Sequence, residues 1–286
     1  MITTITPYWK RPETLRVWLA AMAGATRPWL RHIVYFVGEP APAGARDYLN
    51  HFENFKFIEM VDHAPGDKSI GHYHNLGALE ADTEWIMKLD VDTIPSVDFF
   101  PKLAELLLVS ATPREWFNVG MMYTTQAVTL NRLGANHMPV LEGEYAFLTN
   151  NWGTCSVSRT VMPAATNFVC RQSDYLDLGG CDERFRGYGW EDYHQIYMLE
   201  RHFQNREPLP GPITIQNVTH RCRDEISRRK ARELWNAHKL CLLHRWHAPS
   251  TDHRYRSAIK MGQNRKVLLE RITNYESKPK KLTTAH

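Results

Sequence analysis

Glu84-Trp-Ile-Met-Lys-Leu-Asp-Val-Asp-Thr-Ile-Pro95 is the stretch on which the reading of the fold turns. Trp85, Ile86, Met87 and Leu89 form a short apolar run that ends in two carboxylates, and Pro95 stops further strand pairing. Such a run reads as a buried strand of a mixed or parallel sheet. In open α/β sheets ligands collect beyond the carboxyl ends of the strands, where Asp90 and Asp92 would stand. Residues i and i+2 of a continuing strand share a face. One carboxylate can then reach a metal while the other holds a nearby hydroxyl. A hard divalent cation bridging two phosphates takes such oxygen ligands. Asp-x-Asp alone suits a solvated strand-end turn equally well, so the rest of the chain must decide.

Upstream, Ile2–Ile5 reads as a first strand, and Pro12 suits the first turn of a helix running to about Ala23. Strands over 33–37 and 55–60 come next, with helical stretches near 47–52 and over 69–80. This alternation predicts an α/β sheet of the nucleotide-binding kind. Downstream, the pattern predicts helices over 99–108, 171–178 and 191–203, strands around 119–123 and 154–158, and a long loop over 126–143. Residues 212–218 read as a late strand leading to His220, and two basic amphipathic helices are expected over roughly 224–247 and 253–275.

A length of 286 residues suffices for a full core, and the five cysteines show no CxxC pair, which argues against a disulfide framework or zinc knuckle. No signal-peptide pattern follows Met1 and no apolar run approaches membrane-spanning length. A cytoplasmic protein, peripheral at the inner face of a membrane at most, is expected. The net charge of +4 conceals an asymmetry: residues 221–286 hold 17 Lys+Arg against 6 Asp+Glu, a surplus of +11 over a body at −7. Either the last helices carry solvated charge, or they meet an anionic partner, a membrane surface or nucleic acid.

A second acidic cluster is Phe185-Arg-Gly-Tyr-Gly-Trp-Glu-Asp-Tyr193. The glycines permit an irregular backbone, while Tyr188 and Trp190 offer flat faces on which a sugar ring can stack. Glu191 and Asp192 fall in the first turn of a helix, where the dipole favours a charged carboxylate fit for a general base or a plain helix cap. His220 gains meaning only beside Asp92, as nitrogen next to oxygen in a site suited to Mn²⁺. His72 and His74 either help with phosphate or lie at the surface, and the surface reading is the one expected.

Taken together, these elements resemble the GT-A-fold glycosyltransferases, in particular the β-1,4-galactosyltransferase group and its bacterial polysaccharide-synthase relatives. Pro7-Tyr-Trp-Lys-Arg-Pro-Glu-Thr-Leu15 is similar to the family's uridine-holding loop. Asn75-Leu-Gly-Ala through Asp90-Val-Asp-Thr-Ile-Pro95 is similar to its helix and acid-tipped strand end. Gly187-Tyr-Gly-Trp-Glu-Asp192 looks like the loop that closes on donor and acceptor, and Val218-Thr-His-Arg-Cys-Arg-Asp224 like the late metal-binding strand.

The resemblance implies a Rossmann-like nucleotide-diphospho-sugar transferase fold: a mixed sheet flanked by helices. Residues 1–223 would be catalytic, 1–95 for the nucleotide-sugar and 96–223 for the acceptor, with 224–286 a basic helical extension. Thr6, Pro7, Tyr8, Arg11, Asn75, Asp90, Tyr188 and Trp190 would hold the UDP-sugar. Asp92, His220 and Asn217 would bind Mn²⁺ or Mg²⁺, Asn217 standing where the family has methionine. Glu191 would hold a carbohydrate acceptor and Asp192 would act as base in an inverting transfer. Tyr193 departs from the family, which has a further acid there. Rival readings are a nucleotidyltransferase, a non-catalytic sugar-nucleotide or glycan-binding module, and a glycosyltransferase acting on hydroxymethylated DNA.

Overall fold

A computed structural model of the chain describes residues 1–63, 67–96, 98–110, 115–123, 167–203, 211–244 and 257–277. The first half alternates strand and helix: β1 Ile2–Tyr8, α1 Pro12–Ala25, β2 Leu30–Val37, α2 Ala43–Leu49, β3 Phe55–Met60, α3 Ile70–Glu80 and β4 Trp85–Lys88. Then come β5 Thr93–Ile94, α4 Phe99–Val109, β6 Trp116–Asn118, β7 Met121–Tyr123, β8 Phe168–Arg171, α5 Gln172–Asp177 and α6 Glu191–Phe203. The last described elements are α7 Ile215–Thr219, a wide π-type helical run His220–Ser227, α8 Arg228–His238, β9 Leu242–His244 and α9 Ala258–Glu276.

Six strands form one sheet in the order β3-β2-β1-β4-β8-β6. β3, β2, β1 and β4 run parallel, and β8 returns antiparallel to both β4 and β6. Side-chain alternation along the strands feeds two cores. Ile2, Val34, Phe36, Trp85 and Met87 pack under α1, α2 and α4, while Ile5, Ile33, Tyr35 and Ile86 pack under α3, α5 and α6. Both faces are covered, so the parallel strands read as near-continuous apolar runs. A Cβ on Gly77 of α3 would overlap Ile5, so this helix lies directly against β1.

A second sheet of three strands, in the order β5-β9-β7, stands beyond the end of β4. β9 pairs with β5 in the register Thr93↔His244 and Ile94↔Leu243. The strand expected around 119–123 is β7, which joins the small sheet, while β6, just before that stretch and not expected, joins the large one.

Two expectations for the late chain fail. Residues 212–218 form no described strand. The Thr214 side chain accepts from Asn217 N–H and starts a helix, and Val218, Cys222 and Ile226 are buried at four-residue spacing. That period is helical and outweighs the β-branched residues at 213, 215 and 218. The helix expected over 224–247 ends at His238, where Lys239 takes φ 56 and turns the chain into β9. A boundary at 223/224 falls inside the π-type run. The chain past that point adds β9 to the small sheet and α9 to the α6 side of the large one. The loop at 126–143 and the strand at 154–158 lie outside the described residues.

Candidate active site

β4 ends on Lys88, which is 1% exposed. Its Nζ donates to Asp192 Oδ1 at 3.2 Å and Gln195 Oε1 at 3.1 Å, and lies 4.9 Å from the Phe168 ring. Burial works against its charge, but Cys181, Asp192, Asp90 and Glu191 outweigh it and raise the lysine above its ordinary value. Both acidic clusters of the sequence therefore lie in the field of one buried ammonium. His74, expected at the surface, is fully buried in this chamber. Burial first, and Lys88 second, push it well below the usual histidine range, so it stays neutral.

On the strand-end side, Thr93 donates to Asp90 O through its N–H at 3.0 Å and its Oγ1 at 2.6 Å, closing a tight turn. Asp92 is 7% exposed. Arg11, from the loop after β1, donates Nη1 to Asp92 Oδ2. His244 Nε2 lies 3.7 Å from the same oxygen, because β9 places His244 opposite Thr93. Tyr123 lies over the His244 ring, centroids 4.5 Å apart. Burial, then Asp92 and Asp90, push its phenol up to about 12, with Tyr188 and Tyr193 adding smaller contributions. Tyr123 thus bridges the strand end and the second acidic cluster.

On the other side, Glu191 and Asp192 occupy the first turn of α6. Glu191 is 3% exposed, and its pKa is raised to about 8 by burial and then by the neighbouring Asp192. Both causes favour the protonated form of Glu191. Asp192 retains access to solvent, with its side chain 18% exposed. Tyr188 is 38% exposed and the Trp190 ring sits 5.7 Å from that of Tyr193.

Several residues expected to touch ligand are occupied otherwise. His220 is a largely exposed side chain paired with Asp224 at 3.4 Å and Glu225 at 3.3 Å, not with Asp92. Asn217 donates Nδ2 to Pro212 O at 2.8 Å and so closes the turn before α7. Both residues stand on helical turns in place of the expected strand. Asn75 donates to Cys181 O and Glu183 Oε1 and accepts from Tyr175 Oη and Cys181 N–H, which uses both its donors and its acceptor lone pairs. It staples α3 to the 181–183 turn. Tyr8 is 1% exposed, packs edge-on to Phe36, and receives the Arg11 N–H on its hydroxyl, so it shapes the loop from below. Thr6 is also fully buried, and Pro7 is partly exposed at the strand end.

The donors beside Asp92 fit a divalent cation: carboxylate oxygen next to imidazole nitrogen is a set that Mn²⁺ takes readily. No third His, Cys, Asp or Glu joins them among the described residues. Such a corner suits an ion that fills its remaining positions with phosphate oxygens and water. The residues that the sequence failed to single out are Lys88, Gln195 and His244. A signal for His244 exists, since Leu240-Cys-Leu-Leu-His244 is an apolar run ending in a polar ligand, the same grammar as β4.

Residues 45–224 match the family described as glycosyltransferase like family 2. The chain belongs to this family. The glycosyltransferase match takes in Asp90, Asp92, Glu191 and Asp192 and ends before β9 and α9. The order and directions of the strands are those of a GT-A fold, as the resemblance implied.

Solved glycosyltransferase structures are similar at low identity. The mannosyltransferase PcManGT from Pyrobaculum calidifontis, in complex with GDP-Man and Mn²⁺, is 15% identical over 71% of this chain and 52% of that chain, with a TM-score of 0.44. TarS 1–349 of S. aureus in complex with UDP is 13% identical over 71% and 55%, with a TM-score of 0.48. Glucosyl-3-phosphoglycerate synthase from Mycobacterium tuberculosis, with Mn²⁺, UDP and phosphoglyceric acid, is 15% identical over 70% and 64%, with a TM-score of 0.43. The chain spans about half the length of the first solved structures it matches, 52% and 55%. No curated protein matches the sequence. No described helix is long and apolar enough to cross a membrane.

Proposed function

We propose that this glycosyltransferase moves a hexose from a UDP-sugar to a hydroxyl of a glycan acceptor of the capsule or lipopolysaccharide type, with a divalent metal and inversion at the anomeric carbon. The observation that carries this reading is the grouping of Asp90, Glu191 and Asp192 around Lys88, with Asp92 and His244 at the adjoining strand end. A nucleotidyltransferase needs the paired aspartates but has no use for an aromatic Glu-Asp loop.

In this reading the nucleotide lies over the loop of Pro7 and Arg11, and its diphosphate faces Asp92 and His244. A divalent cation bound there supplies Lewis-acid neutralisation of the departing diphosphate. Arg11, which pairs with Asp92, would meet phosphate oxygen in the same corner, a partner its guanidinium matches equally well. Tyr188 and Trp190 flank the sugar ring. Asp192 takes the proton of the acceptor hydroxyl as that oxygen bonds to the anomeric carbon from the face opposite the breaking bond to phosphate. A single displacement inverts the centre, and no enzyme nucleophile is required. Lys88 holds Asp192 Oδ1 and aims the carboxylate. Glu191, in the protonated form that its burial favours, gives the acceptor a hydrogen-bond donor and spares Asp192 a second negative charge.

Part of the C-terminal charge surplus is taken up inside the fold. Arg221, Arg223, Arg228, Arg229 and Arg271 are all ion-paired within the chain.

A donor-hydrolysis screen of UDP- and GDP-sugars with Mn²⁺ tests the reading. Slow release of nucleoside diphosphate from one UDP-hexose, abolished by chelator, is the expected result. Full activity in excess chelator, or release from none of the donors, would overturn it.

A further inference from the structure

The loop that presents Tyr188, Trp190, Glu191 and Asp192 is held by a side chain from beyond the family-matched segment. Asn264 of α9 is 1% exposed. Its Oδ1 accepts from Arg186 N–H at 2.9 Å, and its Nδ2 faces three carbonyls: Arg186 O at 2.8 Å, Gly189 O at 3.0 Å and Tyr188 O at 3.5 Å. These are backbone groups of the loop that carries Tyr188 and leads directly into Trp190, Glu191 and Asp192.

The backbone they fix is costly. Gly187 has φ 63 and Gly189 φ 101, conformations open to glycine, but Trp190 also sits at φ 79. A bulky residue in that region persists only where its surroundings over-determine it. On one flank the loop meets Ser69, bridged to Gly187. On the other it meets Asn264.

Helix α9 is itself fixed to the body. Asn264, Leu268, Ile272 and Glu276 recur every four residues and so share one face. Leu268 and Ile272 are fully buried in the core shared with Phe185, Ile196 and Tyr197. Glu276 receives Arg201 of α6 at 2.7 and 3.0 Å, and Arg271 pairs with Asp182 at the start of the loop. The clamp and the helix carrying Asp192 therefore move as one piece.

We propose that Asn264 is a positioning residue for glycosyl transfer, holding the backbone of residues 186–190 and through it the side chains at 188–192. The proposal rests on the reading of Asp192 as base. Both ends of the amide are needed. Aspartate keeps the acceptor for Arg186 N–H but sets a carboxylate against the loop carbonyls, and alanine keeps neither.

The test compares Asn264→Ala and Asn264→Asp with Glu270→Gln, which alters the neighbouring exposed pair of α9 with Arg184 and leaves the clamp intact. Native-state trypsin cleavage at the Arg186–Gly187 bond is followed by mass spectrometry, beside kcat, KM and calorimetric binding of UDP with Mn²⁺. Both Asn264 variants should be cut there roughly tenfold faster than the wild type, since release of the loop is a local opening. Their kcat should fall and their KM for the sugar donor rise, because Tyr188 and Trp190 flank the sugar, while affinity for UDP stays within about threefold and Glu270→Gln matches the wild type. Unchanged cleavage at Arg186, cleavage raised equally across the chain, or unaltered kcat with a released loop would each overturn the proposal. Faster cleavage in a protein whose wild type transfers no sugar would uphold the clamp and remove the transferase reading instead.

Discussion

Lys88 Nζ stands 3.2 Å from Asp192 Oδ1, joining the last residue of a central strand to the first turn of the helix that carries the second acidic cluster. The lysine is sealed at 1% exposure, so its charge is held by the acids around it and not by water. Lys88→Met should lower turnover about 10- to 100-fold, because Asp192 loses the partner that aims it. Stability should drop by about 1–3 kcal/mol, less than for a fully buried pair, since Asp192 keeps some access to water. Steady-state kinetics and urea denaturation of the same variant measure both. Unchanged turnover would leave Lys88 a structural cation.

The two histidines offer a direct comparison. His244→Ala should weaken UDP binding in the presence of Mn²⁺ by at least about tenfold, or ~1.4 kcal/mol. His220→Ala should leave it unchanged, because His220 is engaged by Asp224 and Glu225 on an exposed helix. Calorimetric titrations with Mn²⁺, and with chelator in its place, provide the contrast. Equal losses in both variants would contradict the assignment of His244.

Asp192→Asn keeps size and hydrogen-bonding reach but removes basicity. It should cost about 10² to 10⁴ in turnover while UDP and Mn²⁺ still bind. Asp92→Asn should weaken nucleotide binding as well. Near-normal turnover in Asp192→Asn would make that residue a helix cap.

Glu191 sets a pH dependence of stability. With its pKa raised to about 8, the folded protein holds a proton that the unfolded chain has released from about 4.5 upward. The folded state binds more protons across that window, so stability falls as pH rises from about 4.5 to 8. Glu191→Gln should flatten this slope. Denaturation midpoints taken across the same range decide it, and a slope as steep as the wild type's would assign the effect to other groups.

The sequence was most legible where one physical signal acted alone. Trp85, Ile86, Met87 and Leu89 are apolar because both faces of β4 are covered, and the acids that follow mark the carboxyl end of the strand. Residues 213–219 were illegible for the opposite reason. Their β-branched side chains argue for a strand, whereas the buried series Val218, Cys222 and Ile226 argues for a helix and extends past the window that looked strand-like. Leu240–His244 was hidden by its neighbours, since a short apolar run between two basic stretches continues a helical pattern as readily as it starts a strand. Asn75 is a different case. Its place before the acid-tipped strand was read correctly, but nothing in one sequence discloses that its hydrogen-bonding capacity is consumed by Cys181, Glu183 and Tyr175.

The pairing of Thr93 with His244 has a consequence in time. Asp92 lies in the first third of the chain, while His244 and Asn264 lie in the last fifth. A growing polypeptide can complete β1 to β4, with its strand-end carboxylates, long before the imidazole and the loop clamp leave the ribosome. Contacts of such sequence separation form late, after the local helices and neighbouring parallel strands. The nascent chain therefore presents its strand-end carboxylates before His244 and Asn264 can join them.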